Sequence, residues 1–313
     1  MAFKRVPQTF NAHMYEVTFG TGAKAVTIGG ENVYPLYTFD GEIKNKVAVG
    51  VEITDHGVDM SVPGIAAYYA GCNTLGEIAK KASEMPGADF VVLTLEGCDP
   101  NGANKSVEEG VAAAKEVADA IDCPLAICGC KNIEKDTELF GKVAEALSGK
   151  NILIVSARQE NYKTIAASAV MAYGQKMSAE SAVDINLAKQ LNVLVNQMGI
   201  APENTVMNVG SAAAGYGFEY VASTLDRVKG AALTQNDNML QMPIVTPVGS
   251  ETWVVKESVA TEEEAPEWGA REERGIEMEV CTAAACIASG SNAVFLRHPE
   301  TVKTIANLVS ALM

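Results

Sequence analysis

The sequence predicts a (β/α)8 (TIM) barrel preceded by an N-terminal β-hairpin. Eight short apolar runs recur along the chain, and a helix-like stretch separates each run from the next. Near-continuous apolar strands that alternate with amphipathic helices are typical of a parallel sheet buried on both faces. Eight such units in one chain indicate a closed barrel, whose binding and catalytic residues lie at the C-terminal ends of the strands.

The predicted strands are rich in valine and isoleucine. They are 46–53 (KVAVGVEI), 90–97 (FVVLTLEG), 124–130 (PLAICGC), 151–158 (NILIVSAR), 176–183 (KMSAESAV), 205–213 (TVMNVGSAA), 242–249 (MPIVTPVG) and 292–298 (NAVFLRH). The fifth run has few β-branched residues, so a partial loop is an open alternative there.

The stretches between the runs carry helix signals. Ser106 is followed three residues later by Glu109, as in a capping box, and apolar residues then recur at helical spacing. Asp184 opens a second periodic stretch that Gly199 ends. Pro299 occupies the first turn of a third, which closes the outer ring of helices.

The N-terminal part lies outside the repeats. We expect residues 1–45 to be an extension and residues 46–313 to form the barrel, since barrels of about 250 residues with insertions are common. Residues 14–30 (MYEVTFGTGAKAVTIGG) alternate apolar and polar side chains around a glycine turn. This pattern predicts a β-hairpin, which we place at the floor of the barrel.

Composition excludes some function classes. The formal net charge of −15 disfavours nucleic-acid binding, because the chain has no basic surface stripe to follow phosphates. There is no apolar run of about 18 residues and no secretory signal pattern, so we expect no membrane association and a cytoplasmic location. Seven cysteines, an odd number in a long chain, favour free thiols in a reducing compartment.

The cysteines and histidines do not form a metal-binding pattern. Cys123, Cys128 and Cys130 lie close together, but no C-x2-C pair or fourth ligand is near. We interpret them as buried apolar side chains. With only three histidines in the chain, a histidine-rich zinc or iron site is also disfavoured.

Polar residues gather where several strands end, and such positions in a barrel favour ligand binding. No catalytic triad is evident among them. The predicted binding residues are Thr54, Asp55 and His56 after the first strand, Glu96 after the second, Ser156 and Arg158 after the fourth, and Asn208, Ser211 and Tyr216 after the sixth.

A long insertion, residues 251–279, separates the seventh strand from its helix. It contains the acidic run 262–264 and both tryptophans of the chain, Trp253 and Trp268. The acidic part is typical of a solvated loop. Because indoles are costly to leave in water, we expect at least one tryptophan to be buried, in the barrel or against another protein.

Several segments together resemble a known family. They are LEGCDPNG, VDINLAKQLNVLVNQMG, QNDNMLQMPIVTPVGSETW, EWGAREERGIEME and FLRHPETVKTI. The chain is similar to the small subunit of the corrinoid/iron–sulfur protein, also known as the delta subunit of the acetyl-CoA decarbonylase/synthase complex. The resemblance covers essentially the whole chain, in the shorter bacterial layout.

The resemblance implies a heterodimeric methyl carrier of the reductive acetyl-CoA pathway of carbon fixation. The expected partners are a large subunit with the iron–sulfur cluster, a methyltetrahydrofolate methyltransferase and acetyl-CoA synthase. The expected cofactor is a corrinoid (cobalamin), whose cobalt carries the methyl group, bound between the subunits and capped by the barrel mouth. Asp55-His56-Gly57 lacks the D-x-H-x-x-G spacing of proteins that supply a histidine to cobalt.

Two alternatives stay open from sequence. The first is a self-sufficient, pterin-dependent methyltransferase, in which Glu52, Asp55, Glu96 and Asn208 bind the substrate directly. The second is a scaffold subunit without ligand contact. The fold alone excludes neither.

Overall fold

The computed structural model describes residues 6–313. Two strands, β1 (Glu16–Phe19) and β2 (Val26–Gly29), form an antiparallel hairpin. The other eight form one parallel sheet: β3 (Ala48–Thr54), β4 (Phe90–Thr94), β5 (Leu125–Cys128), β6 (Leu153–Ala157), β7 (Lys176–Glu180), β8 (Thr205–Asn208), β9 (Val245–Pro247) and β10 (Ala293–Leu296).

The eight strands curl into a barrel. Their order is β8-β7-β6-β5-β4-β3-β10-β9, and every neighbouring pair is parallel. A single parallel bridge between Met207 and Ile244 brings the two ends of the sheet together. The predicted barrel is confirmed, and the fifth run does form a strand.

Helices surround the barrel. They are α1 (Pro63–Tyr68), α2 (Leu75–Ser83), α3 (Val107–Ala120), α4 (Ile133–Ala146), α5 (Tyr162–Ile165, continued by a π-helix over Ala166–Met171), α6 (Ile185–Gln197), α7 (Phe218–Thr234), α8 (Gly249–Thr252), α9 (Lys256–Val259), α10 (Arg271–Ser289) and α11 (Pro299–Leu312). The capping box of α3 is confirmed, because the Ser106 hydroxyl accepts from the backbone N–H of Glu109 and the Glu109 carboxylate accepts from that of Ser106.

The hairpin lies at the N-terminal ends of the barrel strands. Phe19 is fully buried and packs edge-to-face on Phe90, which packs likewise on Phe295. The backbone N–H of Gly20 donates to the carbonyl of Asn151, just before β6. The inner core of the barrel therefore includes side chains of the hairpin, which fills the floor.

The other end of the barrel, the mouth, is formed by the loops after the strands. Here the strands are shorter than the apolar runs. β8 ends at Asn208, because Gly210 has a φ of +100°, where a side chain would be strained and would crowd the backbone of Val183. The insertion after β9 is partly helical, containing α8, α9 and the start of α10.

Among residues 6–313, no helix is both long and apolar enough to cross a membrane.

Candidate ligand-binding mouth of the barrel

A cavity of about 760 Å³ opens at the mouth. This volume lies within the range of small-molecule and cofactor sites. Its floor consists of polar and small side chains at the C-terminal ends of successive strands: Glu52, Thr94, Cys128, Ser156, Glu180, Asn208 and Pro247. The geometry therefore places a polar layer directly above the apolar core, as sequence reasoning expected for a barrel.

One ion-pair network orders the floor. Arg297, directly after β10, donates from Nε and Nη2 to the two carboxylate oxygens of Glu52, each at 3.1 Å. Its Nη2 also donates to Glu96 at 2.6 Å. The Thr94 hydroxyl donates to Glu52 at 2.6 Å. Because Glu52 is only 4% exposed, this carboxylate depends on Arg297 and Thr94 for its partners.

Three further contacts fix polar side chains on the opposite wall. Arg158 pairs with Glu180 at 3.1 Å. The Asn208 side-chain amide donates to the Ser156 hydroxyl at 2.9 Å and its oxygen accepts from the Gly210 N–H at 3.0 Å. These bonds hold the donors and acceptors in defined orientations toward the cavity.

The loop after β8 supplies part of the rim. The Tyr216 hydroxyl donates to Glu257 of α9 at 2.6 Å, which joins this loop to the insertion. That hydrogen bond holds the pKa of Glu257 below its usual value. The Ser211 hydroxyl is buried and has no hydrogen-bond partner within the described part of the chain.

The predicted binding residues fall into three places. The mouth cavity is lined by Glu96, Ser156, Arg158, Asn208, Ser211 and Tyr216. Thr54 and His56 line a smaller side cavity next to it. Asp55 lines neither; it is buried, accepts from the Gly97 N–H at 2.7 Å and pairs with Lys105 at 3.1 Å. A role in cofactor binding stays a prediction for all nine.

Two cysteines line the mouth cavity. The Cys130 thiol donates to Asp136 at 3.2 Å. Burial, reinforced by this carboxylate, raises the pKa of Cys130 to about 12, so the thiol is protonated at neutral pH. Burial likewise raises the pKa of Cys128. Since the thiolate is the reactive form, neither cysteine is poised as a nucleophile.

The tryptophans occupy different environments, which confirms the expectation that at least one is buried. Trp253 is 8% exposed and stacks on His298, with ring centroids 5.7 Å apart. Trp268 is 38% exposed, and the cationic groups of Lys256 and Arg274 lie over its ring at 5.1 and 5.7 Å. Trp253 therefore belongs to the wall of the smaller side cavity, whereas Trp268 lies at the surface.

Sequence reasoning missed Arg297, Thr94 and Glu180 as parts of the site. Each follows or ends a strand, so the rule that selected Glu96 and Asn208 would have selected them as well. The pairing of Arg297 with Glu52 could not be predicted from the sequence, because the two residues lie 245 positions apart in the chain.

Structural comparison supports the fold. Dihydropteroate synthases from Xanthomonas albilineans and Vibrio fischeri match with a TM-score of 0.56 and 12% sequence identity. The first match covers 95% of this chain and 98% of that chain, and the second 94% and 97%. At this identity the similarity shows a shared barrel fold and nothing about ligands.

Sequence comparison reaches further. The acetyl-CoA decarbonylase/synthase complex subunit delta 1 of Methanosarcina thermophila is 28% identical over 299 residues, covering 94% of this chain and 67% of the relative. The delta subunit of Archaeoglobus fulgidus is 29% identical over 299 residues, covering 94% and 65%. The chain thus spans about two thirds of the length of these relatives.

A family model described as CO dehydrogenase/acetyl-CoA synthase delta subunit matches residues 16–271. The match begins at the hairpin and continues through the loops after β3 to β9, up to the start of α10. The chain therefore belongs to the CO dehydrogenase/acetyl-CoA synthase delta subunit family.

Proposed function

We propose that this chain is the small subunit of a heterodimeric corrinoid/iron–sulfur methyl carrier in the reductive acetyl-CoA pathway. In this proposal the mouth of the barrel caps the corrinoid, and a larger subunit holds the iron–sulfur cluster. A methyltetrahydrofolate methyltransferase supplies the methyl group and acetyl-CoA synthase receives it. The observation that carries the proposal is the match to the delta subunit family over residues 16–271.

The side chains of the mouth suit a corrinoid, whose periphery carries amide groups that both donate and accept hydrogen bonds. The unpartnered Ser211 hydroxyl provides one site for such an amide. Arg158 and Asn208 add donors at the cavity wall. The loop after β8 lines the cavity with the small residues Gly210, Ala212 and Gly217, which leave room for a bulky ligand.

An apolar rim around the mouth supports a covering partner. We use "apolar rim" for the exposed large apolar residues in the loops and first helical turns that follow the strands and in the insertion: Met60, Val183, Tyr216, Tyr220, Val254, Val259 and Trp268. Large exposed apolar groups clustered on one face favour a protein interface. In our proposal the larger subunit docks here and closes the cavity.

The corrinoid, when bound, supplies the cobalt centre that accepts and releases the methyl group. The role of the chain itself is to bind and enclose the corrinoid. Its polar floor positions the corrinoid periphery, and its rim excludes water once the larger subunit has docked. Because the methyltransferase and acetyl-CoA synthase must each reach the methyl group, the cap has to move aside during turnover.

Methyl transfer in the reconstituted heterodimer tests the proposal. Ser211→Ala and Asn208→Ala should slow methylation of the corrinoid and shift its absorbance spectrum. Ser211→Ala breaks no hydrogen bond within residues 6–313, so its free energy of unfolding should change little. Ser148→Ala is the matched control, since Ser148 is exposed in the loop before β6, at the other end of the barrel. Unchanged spectra and rates in both mouth variants would reject the capping role.

A second assay distinguishes the proposed methyl carrier from the alternative, a self-sufficient methyltransferase. The chain alone is mixed with methyltetrahydrofolate and free cobalamin. Our proposal expects no methyl transfer above the uncatalysed rate. Robust transfer by the chain alone would contradict it and favour direct pterin binding at the mouth.

A further inference from the structure

A second cavity of about 300 Å³ branches from the mouth beneath α1. It shares the side chains of Glu52 and Glu96 with the main cavity. Both carboxylates are hydrogen-bonded to Arg297, so this network forms the wall between the two cavities. We call this second space the side cavity; its volume is at the lower end of the range for small-molecule sites.

The side cavity has an apolar part. It is lined by Ile53 of the barrel strand β3, Ile65 of α1 and Ile78 of α2, which belong to one hydrophobic cluster. Aliphatic side chains on three sides favour a ligand with an aromatic or aliphatic body. These residues lie apart from the polar floor of the main cavity.

The side cavity also has a charged part. It contains the carboxylates of Glu52, Glu96 and Asp59, against one guanidinium, that of Arg297. The Trp253 indole contributes to the same lining. An excess of carboxylates combined with an indole is the chemistry that recognises ammonium groups, by ion pairing and by cation–π attraction.

Tyr69 contributes a buried polar group without a partner. Tyr69 lines the side cavity, is 4% exposed, and its hydroxyl has no hydrogen-bond partner among residues 6–313. Buried hydroxyl groups in folded proteins are nearly always hydrogen-bonded. A ligand that presents a hydrogen-bond acceptor to Tyr69 satisfies this group.

We propose that the side cavity binds a small ammonium compound with an apolar body and a hydrogen-bond acceptor distant from the ammonium. The carboxylates and the indole hold the ammonium, the isoleucines hold the body, and Tyr69 donates to the acceptor. This site shares Glu52 and Glu96 with the main cavity, but the proposal does not depend on the corrinoid cap.

Calorimetric titration of the full chain, without corrinoid or other subunits, tests the proposal. Tyramine is the probe, because it combines an ammonium, an aromatic ring and a phenol oxygen. Phenethylamine lacks the phenol oxygen, and 3-(4-hydroxyphenyl)propionate replaces the ammonium by a carboxylate. Each comparison compound should bind about tenfold more weakly than tyramine, or worse, as expected when one polar contact is lost.

Two variants locate the binding. Tyr69→Phe keeps the volume and should abolish the preference for tyramine over phenethylamine, with Tyr37→Phe on the N-terminal extension as the control. Glu96→Gln should weaken tyramine binding, with the exposed Glu203→Gln, before β8, as the control. Because Glu96 is partly exposed, its variant remains informative if Tyr69→Phe does not fold.

Equal affinity for the three compounds, or a preference for tyramine that survives Tyr69→Phe, would overturn the proposal. So would the absence of tyramine binding. None of these results bears on methyl transfer in the heterodimer, so the two proposals fail independently.

Discussion

At the scale of single residues, the mouth depends on charged groups that are buried and paired. Arg297 is the central one, because it satisfies Glu52 inside the barrel and reaches Glu96 at the surface. Its backbone N–H donates to the fully buried Glu279 of α10 at 2.6 Å. Arg297 is therefore held by hydrogen bonds of both its side chain and its backbone. These bonds keep the wall between the two cavities in place.

Replacing Arg297 by methionine should destabilise the protein strongly. The change leaves the buried Glu52 carboxylate without its cation, and breaking a buried pair in this way costs about 3–5 kcal/mol. Urea unfolding measures the loss. The double variant Arg297→Met/Glu52→Gln should recover part of it, because the unpaired charge is then removed. A single variant as stable as the wild type would show that solvent, rather than Arg297, stabilises Glu52.

His298 should make stability depend on pH. It is 2% exposed and burial lowers its pKa below the usual 6.5, although the hydrogen bond to Glu272 opposes the shift. The unfolded chain therefore binds a proton at a higher pH than the folded chain does. The stabilising contribution is full above pH 6.5 and falls as pH drops from 6.5 through the lowered folded value.

Comparison with His298→Asn isolates this contribution. Asparagine still accepts a hydrogen bond as the N-cap of α11, but it does not titrate. The free energy of unfolding of the wild type, measured by urea at a series of pH values, should decline below pH 6.5 more steeply than that of the variant. Parallel curves would contradict the assignment to His298.

At the scale of elements, the sequence predicted the number, order and type of the strands. Apolar runs such as 205–213 identify a buried strand, but they continue past its end, because residues after the strand are buried by neighbouring loops instead of by pairing. Val209 is fully buried although β8 ends at Asn208. The pattern of apolar residues in a sequence indicates burial and not hydrogen bonding. It therefore predicts least well where a strand ends, and the site lies at these strand ends.

The hairpin was predicted from the alternation of apolar and polar residues. The contacts that attach it to the barrel were seen only in the structure. The Phe19–Phe90–Phe295 contacts join residues from the extension and from two distant strands. Nothing local in the sequence indicates which phenylalanines meet. The hairpin closes the floor in this way and supports the polar layer above it.

Phe19→Ala should destabilise the barrel by about 3–5 kcal/mol, since it removes a fully buried aromatic ring from the inner core. Thr18→Ala is the matched control on the exposed face of the same strand, and its effect should be small. Urea unfolding of both variants provides the measurement. Equal stability of the two variants would mean that the hairpin does not contribute to the inner core.

At the scale of the whole molecule, the two ends of the barrel differ. The floor is sealed by the hairpin, while the mouth has two cavities and the apolar rim. The Lys131–Glu251 pair, at 2.8 Å, joins the loops after β5 and β9, which lie on opposite sides of the barrel. A molecule with one sealed end and one apolar open end is suited to be covered at the mouth, as the proposed heterodimer requires.

A substitution of Trp268 tests which part of the mouth binds the larger subunit. Its ring is partly exposed and is held by Lys256 and Arg274, so it is oriented before a partner arrives. Preoriented aromatic side chains are frequent anchors of interfaces. Trp268→Ala should weaken binding to the larger subunit by about 2 kcal/mol. This corresponds to a Kd about 30-fold higher.

The matched control is Tyr37→Ala. Tyr37 is also an exposed aromatic residue, 44% exposed, but it belongs to the N-terminal extension, away from the mouth. It should leave the Kd unchanged, and neither variant should alter the melting temperature of the free subunit by more than a few degrees. If both variants bind the larger subunit as tightly as the wild type, the interface does not include Trp268. If only Tyr37→Ala weakens binding, the larger subunit contacts the N-terminal extension and the mouth is not the docking face.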